Sequence, residues 1–135
     1  MKPFSLITVL LLVAFMPAET HAEWRIGAAA VDVTPGFPVR LSGFGFRRAE
    51  SEGVTQKIWA KALAIDDGQT GPAVIVTVDN LGVPWPMVQT VAKRLQKKTG
   101  LAPERFAVTA THTHTAPMLS GVAPTLFGQP IPAAH

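Results

Sequence analysis

The chain has 135 residues, room for one domain or part of one, with a net charge of +3 and no cysteine. That charge is mild, and no Lys/Arg cluster is interleaved with aromatic residues, which argues against a nucleic-acid partner. Without cysteine there is no disulfide framework, so stability must come from a packed core or a metal.

Met1-Lys2-Pro3 supplies a positive charge, Phe4 to Met16 is almost wholly apolar, and Pro17 to Ala22 offers small residues at cleavage spacing. This is the pattern of a secretory signal peptide cut after Ala22. The apolar stretch falls short of the ~20 residues that span a membrane, so an uncleaved anchor is the weaker reading. The expected division is residues 1–22 as signal and 23–135 as the exported part, secreted or periplasmic. His21 leaves with the signal. Losing Lys2 and Glu19 keeps the net charge at +3.

From Arg25 to Asp32 small and β-branched residues predict a strand ending at the turn Thr34-Pro35-Gly36. Asp32 is placed to bond the backbone of that turn. The following Leu41-Ser42-Gly43-Phe44-Gly45-Phe46-Arg47-Arg48 puts two glycines among aromatic residues. Glycine allows close backbone approach or positive φ, so a loop beside a site and a plain turn are both open. It is not a dinucleotide fingerprint, since a third glycine and a following helix are missing. Two strands come next, Ile58 to Asp66 and Pro72 to Asp79. Asp67-Gly68-Gln69-Thr70-Gly71 joins them and predicts a hairpin. The second strand is apolar on both faces, as in a strand covered on two sides.

The clearest helix follows. Pro86 suits its first turn, and Val88, Val91, Ala92 and Leu95 form one stripe at i, i+3, i+4 and i+7. Lys93, Arg94, Lys97 and Lys98 read as its solvated face, the last two complementing the helix dipole. Gly100 closes it. Phe106 to Thr111 is then a strand, so strand, helix and strand predict a right-handed βαβ crossover with parallel strands. The fold class is α/β, a mixed sheet with a βαβ unit.

That last strand leads into Ala110-Thr111-His112-Thr113-His114-Thr115-Ala116-Pro117. In a strand, residues two apart share a face, ~6–7 Å apart along the chain. Both imidazoles could then reach one metal ion or one substrate, with the threonines hydrogen-bonding a ring nitrogen. Asp79 sits at the corresponding end of the preceding strand, so one carboxylate and two imidazoles would meet in the crevice where open α/β sheets place their sites. The plainer alternatives are surface or packed histidines, and Asp79 as the cap of a turn.

Gly27 to Pro35, Leu41 to Phe44, Ala60 to Leu63, Val76 to Asp79 and Ala110 to Pro117, in that order and spacing, resemble the start of the neutral/alkaline non-lysosomal ceramidases. The resemblance implies an incomplete portion of a larger α/β zinc-hydrolase domain that cleaves the amide of ceramide to sphingosine and a fatty acid. It implies one Zn²⁺ held by His112, with His114 catalytic beside the substrate. Gly43 matches the glycine of the family's Gly-Tyr motif, with Phe44 in place of Tyr. Ala116 stands where the family usually has Gly. Gly43 and Asp79 are the expected substrate-adjacent residues. The family draws a further His, Glu and Tyr from downstream. Beyond Pro117 this chain has no Glu, no Tyr and only His135, so its zinc shell is incomplete. A catalytic zinc wants three protein ligands plus water. The expectation is an amino-terminal portion, inactive alone, whose partners are a lipid-like substrate, membrane lipid at its periphery and the missing carboxy-terminal part. The rival expectations are an exported hydrolase of another amide or ester and a non-catalytic secreted module.

Overall fold

The computed structural model describes residues 23–47 and 49–123. The expected signal peptide and His135 lie outside the described residues. In chain order the elements are β1 (Arg25–Asp32), β2 (Trp59–Asp66), β3 (Ala73–Val78), α1 (Trp85–Thr99), a single 3₁₀ turn (Pro103–Arg105) and β4 (Phe106–Ala110).

The strands form one sheet in the order β1-β2-β3-β4. β1, β2 and β3 pair antiparallel, with Ala29 opposite Ala62 and Ala62 opposite Val76. β3 and β4, joined through α1, pair parallel, with Val76 beside Val108. The sheet is therefore mixed. Parallel neighbours end on the same side, so Val78 and Ala110 finish together.

Turn chemistry makes the β2–β3 hairpin. Gly68 and Gly71 take φ of 72° and 82°, which side chains disfavour. The Asp67 carboxylate accepts the N–H groups of Gln69 and Thr70 at 2.9 and 2.8 Å and the Thr70 hydroxyl at 2.9 Å. These donors, the Thr70 N–H first, hold its pKa down from 3.8 to about 2. A carboxyl depressed in the folded state stabilises above its unfolded value and loses that contribution as pH falls through the folded one. Acid unfolding between pH 3.8 and about 2 should therefore be shallower in Asp67→Asn, read as Tm against pH. Asp32 bonds its turn as predicted, accepting the Thr34 N–H at 2.9 Å, and also pairs with Lys57 at 2.8 Å. Lys57, and then Thr34, push the Asp32 carboxyl well below the ordinary range.

α1 begins with Pro86 in its first turn and ends at Gly100, φ 75°, whose N–H bonds the Gln96 carbonyl. Lys97 and Lys98 occupy the last turn. Val88, Ala92 and Leu95 are half-buried, but Val91 is exposed, so the buried stripe is narrower than its spacing predicts.

One sheet face carries Val74, Val76, Val78, Phe106, Val108 and Ala110, all half-buried. The other carries Leu63, Ile65, Ala73, Ile75 and Ala107, all exposed, Ile75 by 47 %. β3 is thus not covered on both sides by the described residues. The reason is geometric: they supply one helix, and one helix covers one face. β1, at one edge, is exposed throughout, and unpaired apolar edges favour association with other chains.

Among the described residues none of the buried ones lies in a strand, and apart from Leu101 after α1 they gather in one place. Val39, Ser42, Gly43, Asn80, Leu81 and Ala116 are buried, and all lie in loops beyond the ends of β3 and β4.

Candidate active site beyond the sheet's carboxyl end

Two loops build this junction. After β4 the chain runs through residues 111–118, and the segment 39–47 lies antiparallel to it. Leu41 bridges Pro117, the Ser42 N–H donates to the Ala116 carbonyl at 2.9 Å, and the Met118 N–H donates to the Arg40 carbonyl at 2.8 Å. The Ser42 hydroxyl, 1 % exposed, also donates to the Ala116 carbonyl at 3.0 Å. From the third side Asn80, also buried, donates its side-chain N–H to the Pro117 carbonyl at 3.0 Å and accepts the Leu81 N–H at 2.7 Å. Buried polar groups must be paired, and here they pair across segments far apart in sequence. Ser42→Ala should therefore lower stability by about 1–2 kcal/mol through loss of one buried hydrogen bond, measured as a denaturant midpoint at unchanged slope.

Ala116 is fully buried, with 0 % exposure. This position accommodates only a small side chain.

β4 ends at Ala110, so the histidines are not on a strand, contrary to the sequence expectation. His112 has φ 60°, a left-handed backbone that ends the extended run. The two rings are nevertheless neighbours, with centroids 5.3 Å apart and planes tilted by 57°. His112 is exposed and His114 half-buried. The threonines do not serve the ring nitrogens as predicted. The Thr113 and Thr115 hydroxyls bond each other at 3.0 Å and line a cleft of about 300 Å³ with Asp79, Thr34, Leu41 and Pro117. The histidines are not among the residues lining it.

Asp79 shares that cleft with the two threonines. Its carboxylate accepts the Trp59 N–H at 3.0 Å while its own N–H donates to the Trp59 carbonyl at 2.9 Å, so it fastens the start of β2 to the end of β3. The expected meeting of one carboxylate with two imidazoles does not occur. Among the described residues no third His, Cys, Asp or Glu joins them in a group able to hold a metal.

Gly43 does lie at the pair. Its φ is 74°, and a Cβ there would fall 2.3 Å from both Cγ and Nδ1 of His114. The backbone of this loop is pressed against the imidazole, and only glycine permits it. Phe44, at φ 56°, sets its ring edge-on to His114, centroids 4.9 Å apart. Arg47 donates from Nη1 to the His114 carbonyl at 2.8 Å, and its guanidinium lies 5.2 Å from the Phe44 ring centre. Sequence reading found Gly43 but gave no role to Ser42, Arg47 or Asn80. Their only signal was position, a polar or basic residue beside a glycine-aromatic loop or at a strand end.

The model of the N-terminal region of neutral/alkaline non-lysosomal ceramidases matches residues 24–127. The neutral ceramidase of Drosophila melanogaster is 27% identical over 111 residues, covering 79% of this chain and 16% of the relative. That of Pseudomonas aeruginosa is 26% identical over 117 residues, covering 83% and 18%. The crystal structure of neutral ceramidase from Pseudomonas aeruginosa superposes with a TM-score of 0.64 at 27% identity, over 70% of this chain and 16% of that one. A ceramidase complexed with C2 gives 0.60 at 27% identity, over 70% and 15%. The chain thus spans less than a fifth of the length of these relatives. The match covers both loops of the junction and the sheet that carries them, and the chain belongs to the neutral/alkaline non-lysosomal ceramidase family, over part of its N-terminal region.

Proposed function

We propose that this chain is the amino-terminal portion of a zinc-dependent amide hydrolase acting on ceramide, exported by its apolar amino-terminal stretch. One observation carries the reading: the His112-Thr113-His114 segment, inside the residues that match the family, is held by a second loop so that its two imidazoles are neighbours, 5.3 Å apart. The names of the relatives support ceramide as the substrate class.

The donor set fits part of a zinc shell. Imidazole is the commonest metal ligand, and a catalytic zinc takes three protein donors plus water. His112, the more exposed of the two rings, is the proposed ligand, with the remaining donors coming from the longer protein. A bound zinc would bring a water to a pKa near ~7 and so make hydroxide available at neutral pH. His114 is the proposed substrate-side residue. Half-buried and wedged between Gly43 and Phe44, its ring has little freedom to turn, so it would orient the amide carbonyl or donate to its developing negative charge. Gly43 keeps this wall thin. Asp79 acts at a distance, by fastening the start of β2 to the end of β3 beside the junction.

Release of fatty acid from a long-chain ceramide tests the proposal. A longer enzyme carrying this segment should turn it over and lose that activity to a zinc chelator, while the 135-residue chain alone should not. Robust hydrolysis by the short chain would refute the incomplete shell. Equal turnover of short amides and esters by the longer enzyme would favour a broader hydrolase.

A further inference from the structure

Three non-glycine residues among those described have positive φ, and two of them, Phe44 at 56° and His112 at 60°, meet at the histidine pair. A side chain is disfavoured in that backbone region and persists there only when its surroundings over-determine it. What holds Phe44 is visible. The Arg47 N–H donates to the Phe44 carbonyl at 2.8 Å, closing a tight turn. The Arg47 guanidinium lies 5.2 Å from the ring centre of Phe44 and donates 2.8 Å to the carbonyl of His114. Phe46 flanks the same ring at 5.8 Å and is itself 81 % exposed, so it adds little restraint. One side chain thus grips both the backbone of His114 and the aromatic ring that bears on the His114 imidazole.

We infer that Arg47 is a positioning residue: acting through Phe44 and the His114 carbonyl, it fixes the rotamer of the His114 imidazole beside His112. The inference rests on the reading of His114 as an active-site residue. It explains why an aromatic is kept at φ 56°, since relaxing that backbone would swing the ring off His114. It also explains why Arg suits position 47. A planar fork can stack on a ring and donate sideways at once, which an ammonium cannot do. Displacing a reacting group by about 1 Å can lower a rate on the order of 100-fold, so such a grip is consequential.

NMR of the full chain tests it without any metal or substrate. In the wild type, cross-relaxation between the Phe44 and His114 rings and a single His114 rotamer are expected. Arg47→Met should abolish both, and Arg47→Lys should restore them in part. Phe44→Asn places a residue that tolerates positive φ. Its Tm should stay within about 2–4 °C of wild type while the His114 ring averages over rotamers. A folded Arg47→Met chain that keeps the ring contacts and the single rotamer would overturn the inference. If Arg47→Met does not fold, Phe44→Asn decides: an unchanged His114 rotamer overturns the inference, and an averaged one supports it. Ceramide turnover that a zinc chelator leaves unchanged in a longer enzyme carrying this segment would count against the function proposed above and would leave this outcome standing.

Discussion

Gly43→Ala is expected to lower stability by about 3 kcal/mol and to dislodge His114. Two effects combine. The backbone at position 43 has φ 74°, and a left-handed conformation is worth roughly 1–2 kcal/mol against alanine. The added methyl would stand 2.3 Å from two ring atoms and 2.7 Å from Cβ of His114, where real contacts need more than 3 Å. Overpacking of this kind adds typically 1–3 kcal/mol. The ring can escape only by rotating, because Arg47 holds the backbone of His114 and Ser42 that of Ala116. The denaturant midpoint should therefore fall at unchanged slope, and His114 should lose its contact with Phe44. A variant with wild-type stability would mean that the loop does not approach the ring as closely as described.

His112→Asn is expected to abolish ceramide hydrolysis in a longer enzyme carrying this segment while sparing the fold. Asparagine tolerates the positive φ that His112 adopts, so the backbone should keep its course. His112 is exposed, and little packing is lost with its ring. On the proposed role, a zinc held by His112 would contribute several kcal/mol to the reaction, and each 1.36 kcal/mol is tenfold in rate. A loss of at least about 10³-fold in kcat is the expected result, with Tm within about 2–4 °C of wild type. His114→Asn should behave differently. It also removes the partner of Gly43 and Phe44, so activity and stability should fall together.

Elements with a local cause were legible in the sequence. The helix from Trp85 to Thr99 announces itself by Pro86, its apolar spacing and Gly100, all of which act within a turn or two. The β2–β3 hairpin follows from Asp67 and two glycines, and Asp32 bonds its own turn. Gly43 was legible through the family motif, and its reason, the ring pressed against its backbone, came only from the structure. What escaped was set by residues far apart in sequence. A strand through His112 is a fair reading of Thr-His-Thr-His, but Thr111 ends its ladder on Val78 and the next residue turns left-handed to meet the 39–47 loop. Asp79 looked like a partner for the imidazoles because strand ends coincide. Its carboxylate is instead taken by a backbone N–H twenty positions earlier, a bond no periodicity encodes. The open sheet face could not be foreseen from the apolar pattern of β3, since that pattern reports what a strand tolerates and not what covers it.

The most direct measurement is a zinc titration of the chain followed through the ring resonances of its histidines. If His112 takes the ion and His114 stands beside it, the His112 ring should respond as zinc is added, the neighbouring His114 ring should shift with it, and His112→Asn should remove the response of both. Rings left unmoved by zinc, or a response confined to surface carboxylates such as Glu50 and Glu52, would contradict it.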